Sequence, residues 1–175
     1  MNLQMILLTA SLLLSVVCMP EDGGAQTCRP SIAAATHEAT FALNKEGTAT
    51  HLVTGLEWMR CSLGQNWNGQ DCSGQPATFT WEGALRAANH QAFAGHSDWR
   101  LPNKNELETI LEESCQAPAI NARVFPATPP AYFWTSSPYH GLASGAWSID
   151  FAYGLVNASV KSGNLNVRLV RGGRD

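Results

Sequence analysis

The chain has 175 residues, 45% of them hydrophobic and only 14% charged, with a formal net charge of −3. That length suits one domain with a removable segment in front. The near balance of charge, with no run of Lys or Arg, gives nucleic acid no footprint to bind.

Met5–Val17 is an almost uncharged apolar run, too short to span a bilayer comfortably and followed at once by Pro20, Glu21 and Asp22. Residues 1–25 therefore read as a signal peptide, with Gly23-Gly24-Ala25 as the small-residue cleavage site and Gln26 starting the mature chain. The segment Met1–Met5 departs from the usual pattern in having no Lys or Arg. The alternative is a lipoprotein acylated at Cys18, against which the bulk of Val17 counts. No later segment is apolar enough to cross a membrane, so the expected address is periplasm, outer surface or medium.

Export leaves Cys28, Cys61, Cys72 and Cys115, an even count that suggests disulfides in one of about three pairings. Cys61 and Cys72 bracket SLGQNWNGQD, a polar, Gly-rich loop with no core-forming pattern, which favours pairing them and leaves Cys28 with Cys115. A four-cysteine zinc site is the competing idea, but the spacing is irregular and no CxxC is present.

Residues 26–40 form a tail without periodicity, ahead of a domain over 41–175. Phe41–Leu43 and Thr48–Val53 are short strands around the turn Asn44-Lys45-Glu46-Gly47, and Leu56–Arg60 is a third. Thr80 caps a first helix with an apolar stripe of Trp81, Ala84, Leu85, Ala88 and Ala92. A turn at Gly95-His96-Ser97-Asp98 leads into an extended Trp99-Arg100-Leu101. Asn103 and Glu106 then close a capping box over a second helix, predicted to run to about Ser114 with Leu107, Ile110, Leu111 and Ser114/Cys115 on one face. Pro118, Pro126, Pro129 and Pro130 mark a long irregular loop.

The last third is β-like. Tyr132–Ser136 is one strand. Ala146–Tyr153 alternates, with Trp147, Ile149, Phe151 and Tyr153 on one face and Ser148, Asp150 and Ala152 on the other. Leu155–Lys161 returns after Gly154, and Leu165–Val170 closes after Ser162-Gly163-Asn164. Strands, two helices, then strands predict an α+β domain with the helices segregated from an antiparallel sheet.

Six motifs stand in a distinctive order: TGLEWMRCSLG (Thr54–Gly64), TWEGAL (Thr80–Leu85), SDWRLPNKNEL (Ser97–Leu107), FPATPPAYFWTSSPY (Phe125–Tyr139), AWSIDFAYG (Ala146–Gly154) and NVRLVRGG (Asn166–Gly173). In that order they resemble the DUF1566 family, which is similar to the C-terminal domain of the Legionella collagen-like adhesin. The resemblance spans roughly Phe41 to Gly173. It implies a C-type-lectin-like fold, related in architecture to the formylglycine-generating enzymes, and an exported, adhesin-like role. The adhesin itself is known for binding sulfated glycosaminoglycans.

Catalytic chemistry has little to stand on. His37, His51, His90, His96 and His140 are scattered without HxxxH spacing, and no GxSxG, P-loop or GxGxxG occurs. Glu106, Glu108, Glu112 and Glu113 read as a capping group and a solvated helix face. The oxidase relatives need paired cysteines late in the fold, and none follows Cys115. Glu-Pro-Asn, Gln-Pro-Asp and Trp-Asn-Asp, the calcium-and-sugar motifs of lectins of this fold, are absent too. No cofactor is expected; a structural calcium ion held by backbone carbonyls with Asp98 or Asp150 is the remaining metal option.

The ligand site is therefore sought on surfaces. Of six tryptophans, Trp58, Trp81, Trp99 and Trp147 read as core. Trp134 and Trp147 flank the loop Ser136–Gly145, where lectin-like folds place their binding surface. Tyr139 and His140 at its centre combine apolar bodies with polar ends, suited to stacking on a sugar ring; the alternative is a surface loop with no ligand. The hairpin after Asp150 carries small polar residues, Asn157, Ser159, Ser162, Asn164 and Asn166, at positions where such folds tolerate diversification. In a strand, Arg168 and Arg171 face opposite sides, one buried and paired, one exposed; with Arg100 and Arg174 they form the alternative, a patch for sulfate groups. The expected ligand residues are Tyr139, His140, Trp134, Asn157, Arg168 and Arg171. The expected function is a non-enzymatic, exported module that binds a glycan, possibly sulfated, or a surface protein. The competing class is an assembly subunit without a soluble ligand.

Overall fold

A computed structural model describes residues 25–173. The apolar leader, Cys18 and Arg174 lie outside the described residues. In chain order the elements are β1 (Thr27–Cys28), a 3-10 turn (Glu38–Thr40), β2 (Phe41–Leu43), β3 (Thr48–His51), β4 (Leu56–Met59), β5 (Asn66–Trp67), β6 (Cys72–Ser73) and β7 (Thr78–Phe79). There follow α1 (Trp81–Asn89), α2 (Lys104–Glu108), β8 (Cys115–Gln116), β9 (Tyr132–Pro138), β10 (Gly145–Asp150), β11 (Leu155–Val160), β12 (Leu165–Asn166) and β13 (Val170–Gly172). The domain is α+β and mostly sheet.

Two sheets carry it. One has five strands in the order β11-β10-β9-β12-β7, the other four in the order β13-β4-β3-β2. Every pairing is antiparallel except β12 against β9, where Asn166 lies beside Phe133. The ribbons β1–β8 and β5–β6 each sit beside a disulfide, Cys28–Cys115 and Cys61–Cys72, the pairing favoured by the loop composition. Such bridges belong to an oxidising compartment, the periplasm or the exterior. No described helix is long and apolar enough to cross a membrane.

The helices do not share one side of the sheet. Ala84 and Ala88 of α1 pack with Trp134, Ala146, Val167 and Leu169, whereas Leu107 of α2 packs with Ile110, Phe133, Ile149 and Phe151. Phe133 and Trp134 are neighbours on β9 and point to opposite faces, so the central strands are covered on both. That explains a departure from the alternation expected in Ala146–Tyr153. Ala146, Ser148 and Asp150 are as buried as Ile149 and Phe151. The strand also stops at Asp150, whose carboxylate accepts the Ala152 N–H while its carbonyl accepts the Gly154 N–H. The resulting turn leaves Tyr153 67% exposed.

α1 starts where its sequence predicts but ends at Asn89, so Ala92, expected on its apolar stripe, lies beyond it and is exposed. Thr80 Oγ1 accepts the Gly83 N–H, and Ala84 and Ala88 are buried. At α2 the capping box is complete: Asn103 Oδ1 accepts the Glu106 N–H at 2.9 Å and Glu106 Oε2 accepts the Asn103 N–H at 2.8 Å. The helix is much shorter than predicted, however. Beyond Glu108 the backbone tightens to i→i−3 bonds at Thr109, Ile110 and Leu111, and Leu111 then bridges to Ile120. Tightened turns still direct Leu107 and Ile110 inward, so the apolar spacing did not mark the end of the helix.

What the tightening achieves is the placement of Glu112. This side chain, expected on a solvated face, is 3% exposed and accepts five hydrogen bonds: from Ala35 N (3.0 Å), Thr36 N (2.8 Å), Thr36 Oγ1 (2.7 Å), Ser114 N (3.1 Å) and Ser114 Oγ (2.6 Å). With the Cys28–Cys115 bridge, and with Gln26 Nε2 donating to the carbonyls of Pro118 and Ile120, it fastens the tail to the domain.

The closing segment also differs from one strand over Leu165–Val170. It pairs with β7 and β9 at Leu165–Asn166, crosses through buried Val167, Arg168 and Leu169, and joins the other sheet at Val170. Extended Trp99-Arg100-Leu101 contributes only one bridge, Arg100 with Val170.

Two outcomes test this scaffold. Burial works to raise the Glu112 carboxyl, but the bonds from Ser114, Thr36 and Ala35 outweigh it and hold the group at about 2, below its ordinary 4.5. A depressed folded value means the stabilisation is complete above about pH 4.5 and is lost as pH falls towards 2. Melting temperature should fall through that window, and Glu112→Gln should flatten the fall, as thermal melts across pH will show. Asn103→Ala should cost about 1 kcal/mol in chemical denaturation through the lost cap.

Candidate functional site

The loop between β9 and β10 is built by its own backbone. Tyr139 N donates to Gly145 O at 3.1 Å, Leu142 N to Tyr139 O at 3.3 Å and Gly145 N to Leu142 O at 2.8 Å. Lys161, just after β11, straps it from the side: its N–H bonds Ser144 O and its Nζ bonds Ala143 O, both at 2.8 Å. The strap lets a short polar loop hold its rings in a fixed arrangement.

Tyr139 stands edge-on to Trp147, with ring centroids 4.9 Å apart and an interplanar angle of 77°, a favoured aromatic geometry. His140 is exposed and lies 5.6 Å from the Tyr139 ring. Lys104, the first residue of α2, lies 5.8 Å from the Trp147 ring, pairs with Glu108 at 2.8 Å and donates its backbone N–H to Ser137 Oγ at 3.0 Å. Tyr139, His140 and Trp147 thus form a half-exposed aromatic patch, with one cation at its edge. Trp147, expected in the core with Ile149, lies at the start of α2 and is half-buried. Lys104 was missed; its place at the head of a capped helix beside the loop was visible only once α2 and β9 were side by side.

The other expected ligand residues do not join this patch. Trp134 is fully buried and donates its Nε1–H to Phe79 O at 2.7 Å. It packs with Ala84 and Ala88 of α1 and stands beside Ser148 in the ladder. Arg168 is also fully buried and reaches the carbonyls of Met59 and Arg60. Asn157 is half-buried on β11. Trp147 stands opposite Ala158 in the ladder, so Asn157 lies on the other face of the sheet from the aromatic patch. Asn166, expected on the final hairpin, is buried and donates to Tyr132 O.

No sulfate cradle forms among the described arginines. Arg171 bonds Glu57 Oε2 at 2.6 Å and Asp98 Oδ1 at 2.8 Å. Burial works to raise the Glu57 carboxyl, yet bonds from Thr48 and Arg171 hold it below the ordinary value; the bond from Arg171 does the same for Asp98. Arg100 grips both oxygens of Glu106 at 2.7 Å. These guanidinium groups are paired with carboxylates of the fold, and Arg168 is fully buried. The calcium option weakens likewise: Asp98 is held by Arg171, Asp150 caps its own turn, and no three His, Cys, Asp or Glu converge among the described residues.

The family model of the Lcl C-terminal domain matches residues 47–171. The chain belongs to the Lcl C-terminal domain family. The match covers both helices and the aromatic loop. It leaves β1, β2 and the tail bonded to Glu112 outside the matched span, so in this Lcl C-terminal domain the four-stranded sheet gains its outer strand from residues before the match. No curated protein matches the chain.

Gly141 offers a test of the patch. A Cβ there would fall 2.6 Å from Tyr139 Cζ, at the far end of a half-exposed side chain that can move aside from Trp147. Gly141→Ala should displace the ring, seen by NMR as loss of the ring-current shifts Trp147 imposes on Tyr139, with the melting temperature almost unchanged because the loop is at the surface.

Proposed function

We propose that this Lcl C-terminal domain is a non-enzymatic, adhesin-like binding module that works outside the cytoplasm and holds a glycan at Tyr139, His140 and Trp147. The observation that carries the reading is the edge-on Tyr139–Trp147 pair, half-exposed and already fixed by the strapped loop. Fixed aromatic faces present apolar area without a further loss of side-chain freedom on binding. A C-type-lectin-like arrangement is part of the proposal, supported by two short helices, a central antiparallel sheet and long loops fastened by disulfides. The absence of catalysis is part of it too. Its support is that the four cysteines of the described chain are bridged, while Glu106, Glu112 and Asp98 are engaged in caps and structural bonds.

One observation favours the assembly reading. β11 has the sequence LVNASV, carries no charge and forms an outer edge of its sheet, with Leu155 and Val160 each 54% exposed. An unprotected edge of this kind is a template for another strand, and a surface protein is the partner it suits.

A glycan array on the oxidised protein, at low and high salt, tests the choice. The expected result is binding that survives high salt and weakens about tenfold in Tyr139→Ala, the worth of one aromatic contact. Binding abolished by salt would return the sulfate reading, and a blank array would overturn the glycan reading in favour of assembly.

A further inference from the structure

A second aromatic surface lies away from the loop, between the disulfide ribbon and the turn after α1. It is a groove of about 340 Å³ whose lining includes Leu63, Gln65, Asn66, Trp67, Gln91 and Phe93. No ionisable side chain lines it.

Both rings are held in place by dedicated contacts. Trp67 donates its Nε1–H to Lys45 O at 2.9 Å, and the Arg60 guanidinium stacks 4.3 Å from its ring centre. The β2–β3 turn closes in behind it: a Cβ on Gly47, at φ +87°, would lie 2.5 Å from Trp67 Cγ. Phe93 is presented by a two-residue turn that puts Ala94 at φ +51° and Gly95 at φ +76°. A left-handed alanine is strained, and such strain gathers where a side chain must be displayed. The turn is closed by Phe93 N to His96 O (2.9 Å) and His96 N to Phe93 O (3.0 Å), and Trp99 Nε1 anchors it by donating to Phe93 O at 3.0 Å.

The polar groups divide into fixed and free. Gln65 is engaged at both ends, accepting from Ser62 N and donating to Gly74 O and Ala127 O. The Asn66 carboxamide bonds nothing among the described residues, and Gln91 uses only its Nε2, leaving its carbonyl oxygen open. Two fixed rings and free, uncharged donors and acceptors lining one groove suit a ligand that is apolar on its faces and hydroxylated at its rim. They do not suit a phosphate or carboxylate, which would need a cation here, or an acyl chain, which would strip the amides of water without replacing their bonds.

We propose that this groove binds a neutral pyranose unit, its C–H groups against Trp67 and Phe93 and its hydroxyls bonded by Asn66 and the Gln91 carbonyl. The site is separate from Tyr139, His140 and Trp147 and stands whether or not that patch takes a glycan.

The test is an array of neutral oligosaccharides built from glucose, galactose, mannose and N-acetylglucosamine, followed by calorimetric titration of the best binder into the full, oxidised protein. Asn66→Ala and Gln91→Ala, both outside the core, are the decisive variants; each should weaken binding about fivefold, the worth of one hydrogen bond. Trp67→Phe should weaken it further, and Glu82→Gln on the outer face of α1 should leave it unchanged. Binding lost in Tyr139→Ala but unaltered in Asn66→Ala and Gln91→Ala would overturn the groove and leave the loop reading standing. Binding lost in the groove variants and retained in Tyr139→Ala would do the reverse. An array with no neutral sugar bound would overturn this proposal.

Discussion

The two sheets of the domain are joined through one buried cation. Arg168 lies on the crossing between β12 and β13, fully buried and without an acidic partner among the described residues. Its Nη1 donates to Met59 O at 2.8 Å and to Arg60 O, and its Nη2 donates to Thr128 Oγ1 at 2.7 Å. The rings of Phe125 and Phe133 lie 4.9 and 6.0 Å away. The guanidinium therefore holds the end of β4, the proline-rich loop and β9 around a single centre. Burial pulls its pKa down to about 9, still charged at neutral pH. Carbonyl dipoles and aromatic faces replace water around it, which is how a planar, weakly hydrated cation is accommodated inside a protein.

Both aromatic surfaces adjoin that joint. The proline-rich loop and β9 lead directly into the strapped aromatic loop. Arg60, whose carbonyl Arg168 holds, stacks beneath Trp67 and bonds the carbonyls of Val124 and Arg123. The pair of arginines links the interior of the sheet crossing to the disulfide ribbon. The aromatic groups of this domain are consequently displayed on a rigid frame, and loop backbones need little of their own packing to hold them.

Much of the frame was legible in the amino acids. Thr80 and Asn103 were caps where expected, because capping needs only local residues. Phe41–Leu43 against the strand from Thr48 and Ala146–Asp150 against Leu155–Val160 follow from short turns between alternating segments. Pairing Cys61 with Cys72 followed from a loop with no core of its own. The failures share a cause. Alternation reveals that a strand has two faces, but not that both are covered, so Trp134 was taken for a surface group and Trp147 for core, the reverse of their places. A buried arginine bonded to carbonyls and a hydroxyl leaves no paired acid to be noticed. Glu112 looked like any helical glutamate because its partners, Ala35 and Thr36, are far away in the chain. The groove at Trp67 and Phe93 needed the disulfide ribbon and the turn after α1 to be brought together.

The two bridges also differ in when they can form. Cys61 meets Cys72 only 11 residues later, whereas Cys28 waits 87 residues for Cys115. In a chain delivered from its amino end into an oxidising space, Cys28 meets Cys61 and Cys72 before Cys115 arrives. The tail has no structure to protect its thiol at that stage, since β8, Glu112 and the carbonyls that Gln26 bonds have yet to arrive. Any pairing made before Cys115 arrives is returned to the native one by thiol exchange, so the order of the cysteines in the chain sets how much exchange oxidation of this domain entails.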